Sequence, residues 1–270
     1  MSAVWPQPLP FGPWLLSQRL ALSAMSDVWL GHREGEEKPC AIKRMLPMRR
    51  DDAELRALFA REIAVMQRFR HEGLPQLLES GEAQGVPWLA MPFYPGVSLQ
   101  ALLADGPLPE NAALWLATEL AAILAVVHAA GLVHADISPD NVHIGAEGRV
   151  MLLDFGIAVA RGQLAPIHRG KSRYASPEQV AGLPLTEQTD WFAFAKLLTE
   201  LGLAAAVVPT DVAGSLRAQV ADGGLAQAEL QRRVVRLQPD TRQALWQAAE
   251  LRGEAVTDPG VDAGATILRD

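Results

Sequence analysis

Short apolar runs broken by turn residues fill the first part of the chain, and apolar positions at helical spacing dominate the rest. From Leu15 to Lys43 such runs flank the turn-like stretch Gly31 to Pro39, which predicts a meander of antiparallel strands. Between Asp52 and Phe69 the positions Leu55, Leu58, Phe59, Ile63 and Met66 recur with a helical period, so one long helix is expected there, capped by Asp51 or Asp52. Leu74 to Met91 returns to strand patterning, interrupted by Gly81 to Gly85, and Pro92 to Gly96 reads as a linker into a helical half. That half opens with a short capped helix over Ser98 to Ala104 and a long buried one over Pro109 to Ala130, ending at Gly131. Short strands are expected beside Asn141 and Asp154, then helices over Glu187 to Leu201 and Pro239 to Leu251. No internal repeat points to a solenoid.

The two ends behave differently. Residues 1–13 carry Pro6, Pro8, Pro10 and Pro13, which fix φ and remove donors, so this arm is expected to be extended, either packed on a lobe or disordered. Gly253 to Asp270 loses all periodicity and reads as a tail. The resulting division is a Pro-rich extension (1–13), a strand-rich lobe (14–91), a hinge (92–96), a helical lobe (97–252) and a flexible tail (253–270).

Composition narrows the classes. A chain of 270 residues that is 49% hydrophobic can bury a sizeable core. Its 24 basic and 31 acidic side chains give a net charge of -7, so the broad attraction that drives binding to nucleic acid or anionic lipid is missing. The single Cys40 excludes an internal disulfide and reads as a buried, inert thiol. With no apolar run near 20 residues recognised and no basic-then-apolar leader, a cytoplasmic protein is expected.

The chemistry is concentrated in four short motifs. Ala41-Ile42-Lys43 lies on a predicted strand. Downstream come His134-Ala135-Asp136-Ile137-Ser138-Pro139-Asp140-Asn141, then Asp154-Phe155-Gly156, then Ala175-Ser176-Pro177-Glu178. In this order they resemble the catalytic domain of bacterial serine/threonine protein kinases of the eukaryotic-like type, over roughly residues 14 to 252. The resemblance implies an α+β, two-lobed fold: an antiparallel sheet with one long helix, followed by a mainly helical lobe.

It also implies roles. Lys43 would reach the α- and β-phosphates of ATP, held by an ion pair with Glu62 of the long helix. Asp136 would accept the proton of a Ser or Thr hydroxyl on a protein substrate, while Asn141 and Asp154 would bind Mg2+ through hard oxygen donors. Leu20, Val28 and Ala41 would wall the adenine from above, the backbone of Met91, Pro92 and Tyr94 would hold its edge, and His143 would lie beneath. His134 and Phe155 read as packing residues, stacking with Met66. Asp190 resembles the buried aspartate that fixes the catalytic loop, and Glu178 with Arg242 a structural ion pair.

Departures from the family pattern leave alternatives open. The phosphate loop, Ala21 to Val28, has lost every glycine, so Ser23 and Ser26 hydroxyls stand where backbone amides usually approach phosphate. Ser138 and Lys171 look like an exchanged pair: the family's lysine after the catalytic aspartate and its later threonine have swapped character, leaving Lys171 to neutralise charge on the transferred group. Ala135 replaces a common arginine, and residues 157–169 contain no Ser, Thr or Tyr, so activity without phosphorylation of this segment is expected. The stretch Gly202 to Arg236 is short and alters the surface where substrates often dock. A pseudokinase that binds nucleotide or acts as a scaffold, and a small-molecule phosphotransferase, remain the competing readings.

Overall fold

The structure is a computed structural model that describes residues 4–165, 173–203 and 219–237. Backbone contacts divide the chain into two compact units, Met1–Tyr94 with Phe155–Ala158, and Pro95–Asp154 with Val159–Asp270.

The first unit is built on a six-stranded antiparallel sheet. Its strands are β1 (Val4–Phe11), β2 (Trp14–Leu22), β3 (Ser26–Arg33), β4 (Cys40–Met45), β5 (Glu79–Ala83) and β6 (Val86–Pro92), in the spatial order β1-β2-β3-β4-β6-β5. Within the proline-rich arm, expected to be extended, Val4–Phe11 forms an edge strand of the sheet. Prolines are tolerated there because an edge strand needs hydrogen bonds on one side only. Gly12 at φ +56° and Pro13 make the two-residue turn into β2, a conformation that costs glycine least. Strand pairing over the predicted stretch 74–91 begins only at Glu79, and Gly81 lies within β5.

Against this sheet packs α1 (Ala53–Met66), whose first turn is closed by Asp52 Oδ1 accepting from the Leu55 N–H at 3.1 Å. Leu55, Leu58, Phe59 and Met66 pack into a core with Phe11, Trp14, Leu16, Trp29, Ile42, Met45 and Trp88. Truncating such a ring to alanine costs about 3–5 kcal/mol. Arg44 is buried in that core, its guanidinium 4.9 Å from the Phe11 ring and 5.3 Å from Trp29, and its charge is met by Asp27 at 2.9 Å. Cation–π contact and a bidentate partner together offset the desolvation of the charge. Cys40 is buried, and burial raises its thiol pKa, in keeping with an unreactive role. Phe155 packs on Phe69 with ring centroids 5.1 Å apart, and Phe69 lies three residues beyond the expected Met66, past the end of α1.

The second unit centres on α3 (Glu110–Ala129). This helix corrects the sequence reading on one point: over 20 residues it is long and apolar enough, with mean hydropathy 1.8, to cross a membrane by length and composition. Twelve of its side chains, from Ala112 to His128, are instead buried in the core of the unit. Around it lie α2 (Leu99–Ala104, capped by the Ser98 hydroxyl), α4 (Pro177–Val180), α5 (Glu187–Glu200) and α6 (Gly223–Leu237). Two small sheets complete it: β10 (Val150–Leu152), β9 (Val142–Gly145) and β7 (Gly96–Ser98) in that order, and β11 (Val159–Ala160) with β8 (Leu132–Val133). Gly96 has φ +157°, and a Cβ there would stand 2.2 Å from the Ile144 carbonyl oxygen, so β7 pairs with β9 only because this residue has no side chain.

Helix α6 occupies part of the stretch Gly202 to Arg236 that carried no predicted element. It buries Ala226, Leu230 and Val234, one residue per turn, and is tied down by Arg233 to the Gly106 and Pro107 carbonyls at 3.2 and 2.8 Å. The predicted helix Pro239 to Leu251, Arg242 and the tail 253–270 lie outside the described residues.

Candidate active site

In the first unit, Lys43 sits on β4 and Glu62 on α1, both buried. The Lys43 ammonium donates to Glu62 Oε1 at 2.6 Å and Oε2 at 2.9 Å. Such a charge-assisted pair holds the ammonium in one orientation at the end of a rigid strand. Val28 on β3 is the register partner of Lys43, and Ala41 is the partner of Met91 on β6. Leu20 lies exposed on β2, Val28 is half-buried and Ala41 buried. Pro92 ends β6, and the Tyr94 hydroxyl accepts from the Gln76 N–H at 3.3 Å.

The turn between β2 and β3 is only three residues long. The Ser23 hydroxyl oxygen accepts from the N–H groups of Met25 at 3.2 Å and Ser26 at 3.0 Å, and lies 3.2 Å from the Ser26 hydroxyl. The turn thus satisfies its own amides, which is the local geometry that Ser favours in place of glycine.

In the second unit the catalytic loop is organised from a distance. Asp190, on α5 and fully buried, accepts from the His134 N–H at 2.9 Å, the Ala135 N–H at 2.8 Å and the His128 Nε2–H at 2.8 Å. Ala135 adopts φ +65°, a left-handed conformation costing a non-glycine residue about 1–2 kcal/mol. The three hydrogen bonds at Asp190 hold the loop in that state. His134 Nδ1 accepts from the Asp136 N–H at 3.3 Å while its Nε2 donates to the Leu153 carbonyl at 3.1 Å, which fixes the ring's tautomer.

Asn141 donates its Nδ2 protons to the Asp136 main-chain carbonyl at 2.7 Å and to Asp136 Oδ2 at 2.8 Å. A flipped amide would set its oxygen against two acceptors, so the orientation is determined and Oδ1 is the atom turned away as a hard donor. The Asn141 carbonyl accepts from the Leu153 N–H at 2.8 Å, which ties the start of β9 to the residue before Asp154. Asp154 is exposed and also left-handed, at φ +62°. One amide oxygen and one carboxylate fit Mg2+, which takes few protein ligands and completes its shell with phosphate oxygens and water.

Ser138 is completely buried, its carbonyl accepting from Asn141 and Val142 N–H groups at 3.0 and 3.2 Å. His143, half-buried on β9, pairs in register with Ser98 and Met151. Lys171 lies outside the described residues. Glu178 accepts from the Thr189 hydroxyl at 2.7 Å; burial alone would raise its carboxyl, but hydrogen bonds from Thr189, its own backbone N–H and Ser176 hold it below the usual range.

Sequence reasoning missed a clamp at the end of the segment that precedes α4. The Tyr174 hydroxyl donates to Glu200 Oε2 at 2.6 Å, Arg173 pairs with Glu200 Oε1 at 2.7 Å, and Lys196 donates to the Arg173 carbonyl at 2.8 Å. Burial and the bond to Glu200 raise the Tyr174 phenol well above its ordinary pKa, so it remains a donor throughout the neutral range. It missed Gln179 as well, whose side chain reaches the Ala135 carbonyl.

The protein kinase domain model matches residues 20–244, and the chain belongs to that family. It is 31% identical over 214 residues to a probable serine/threonine-protein kinase PkwA of Thermomonospora curvata, covering 77% of this chain, and 31% identical over 195 residues to serine/threonine-protein kinase PknD of Mycobacterium tuberculosis, covering 70%. The chain spans only 29% of the length of each of these relatives. Among solved structures, the kinase domain of Mycobacterium tuberculosis PknI superposes with a TM-score of 0.59 at 27% identity, covering 84% of this chain and 91% of that one.

Proposed function

We propose that the chain transfers the γ-phosphoryl group of ATP to Ser or Thr hydroxyls of protein substrates. Asp136 takes the proton of the acceptor hydroxyl as its oxygen forms the new bond to phosphorus and the bond to the departing ADP breaks. Lys43, oriented by Glu62, holds the α- and β-phosphates, and Asn141 Oδ1 and Asp154 hold the metal. Mg2+, when bound, neutralises the phosphate oxygens and orients them for in-line transfer. The observation that carries this reading is the Asn141 amide locked onto Asp136, which joins the proton acceptor to a metal donor in a single orientation.

Two finer features belong to the same proposal. Lys171 supplies the positive charge that the family's lysine would bring at Ser138, and stabilises the transferred group. No phosphorylation of the 157–169 segment is needed, because Ala135 has no guanidinium to meet a phosphate and the Tyr174–Glu200–Arg173 clamp holds the segment's end without one. A second reading, a nucleotide-binding pseudokinase, is favoured by one observation: the Ser23 turn consumes the amides that would otherwise cradle phosphate.

Purified protein with labelled ATP and Mg2+ separates the two. Transfer to itself or to a basic protein, lost on Asp136→Asn, supports the kinase. Nucleotide binding with no transfer in the wild type rejects it in favour of the second reading.

A further inference from the structure

Ala135 has a left-handed backbone in the catalytic loop, and its two backbone polar groups are held by different elements. Its N–H goes to Asp190 on α5, at 2.8 Å. Its carbonyl accepts from Gln179 Nε2 on α4, also at 2.8 Å. The other end of the same amide is occupied too: Gln179 Oε1 accepts from the Ser176 N–H at 3.0 Å, completing a capping box in which the Ser176 hydroxyl accepts from the Gln179 N–H at 3.4 Å. Both ends of the amide are thus used, and its orientation follows from the polarity of its partners.

We infer that Gln179 is a positioning residue that ties the short helix ending the activation segment to the peptide immediately before the catalytic base. The inference rests on the kinase reading for its effect on turnover. A carboxylate at this position would still close the capping box, as glutamate commonly does, but would present an acceptor to the Ala135 carbonyl in place of a donor. The chemistry of the tether therefore requires an amide, not just a side chain of this length. With the amide in place, the left-handed Ala135 peptide is fixed at both its N–H and its C=O, and Asp136, the next residue, inherits that orientation. Such a link explains how the segment is coupled to the base in a chain where Ala135 replaces the arginine that would do so through a phosphate.

The test uses Gln179→Glu and Gln179→Ala in the full chain, with turnover and ATP KM measured on a basic protein substrate from pH 5 to pH 8. At pH 8, Gln179→Glu is expected to lower kcat about tenfold, the value of one such hydrogen bond in rate, with ATP KM changed less than about twofold. As the pH falls toward 5, a growing fraction of the introduced carboxyl carries a proton and can again donate to the Ala135 carbonyl, so the variant-to-wild-type ratio rises; for Gln179→Ala it stays flat. Taking the ratio at each pH removes whatever pH dependence the variant shares with wild type; Asp136 and Tyr174 line the same recess, Glu178 precedes Gln179 in the chain and Asp190 holds the Ala135 N–H. Amide exchange across Ala135 and Asp136 should be faster in both variants than in wild type. An active wild type with an equally active Gln179→Glu variant at every pH overturns the inference alone. An inactive wild type overturns the kinase reading, and unchanged exchange at Ala135 and Asp136 would then still overturn the tether.

Discussion

The turn Ser23 to Ser26 and the loop His134 to Asn141 solve one problem, satisfying backbone groups outside regular structure, in opposite ways. The turn uses a hydroxyl from its own first residue, within three positions in sequence and exposed to water. The loop draws on Asp190 and Gln179, more than forty positions away, and sits in strained backbone that those partners help maintain. A local solution is cheap and carries little stability; a long-range one couples the geometry of the base to the folding of the whole unit.

The largest effect that sharpens this comparison is at Asp190. Asp190→Ala leaves two buried amides and a buried imidazole without their acceptor, and is expected to cost about 3–5 kcal/mol, read as a lowered urea midpoint, together with loss of transfer activity. A loss below 1 kcal/mol would mean that the loop holds its shape unaided.

Tyr174→Phe should have an intermediate effect, about 1 kcal/mol at pH 8. The direction with pH follows from the raised phenol. Below the unfolded value of about 10 the hydroxyl's contribution is complete; above it the unfolded phenol ionises while the folded one keeps its proton, so wild type loses stability as the pH climbs. Phenylalanine has no such loss, and the gap between the two proteins should narrow between pH 8 and pH 10.5 in urea unfolding. A gap that widens contradicts the clamp.

The smallest effect is expected at the turn. Ser23→Ala exposes two amides that water can satisfy, so stability should change by less than about 0.5 kcal/mol. ATP KM should change less than about twofold, because amides turned inward contribute nothing to phosphate. A tenfold rise in KM would show that the turn reopens around the nucleotide.

The same contrast explains what could be read from the sequence. Strands β2 to β4, helix α1 with its Asp52 cap and the Ser98-capped α2 rest on neighbours a few residues apart, and the period of their apolar positions reveals them. The pairing of Lys43 with Glu62 spans nineteen positions and was visible only through the family resemblance, since a glutamate on a helix otherwise reads as solvated. Edge strand β1 escaped because alternate prolines exclude a helix but say nothing of whether a sheet accepts them. Helix α6 opens on two glycines and buries just Ala226, Leu230 and Val234, too thin a stripe to announce itself. Gln179 and the Tyr174–Glu200 bond were illegible for a different reason: an amide or a phenol acquires a specific role only when the fold delivers its partner.

In the proposed reaction Asp136 serves the proton while Asp154, with Asn141, serves the metal. Titration of ATP into wild type, Asp136→Asn and Asp154→Asn, each with and without Mg2+ and followed by single-turnover transfer, tests that division directly. Asp136→Asn is expected to keep Mg2+-dependent ATP affinity within about threefold while transfer falls at least about a hundredfold. Asp154→Asn is expected to lose the Mg2+ dependence of binding itself. Equal Mg2+-dependent affinity and equal transfer in all three proteins would contradict that division.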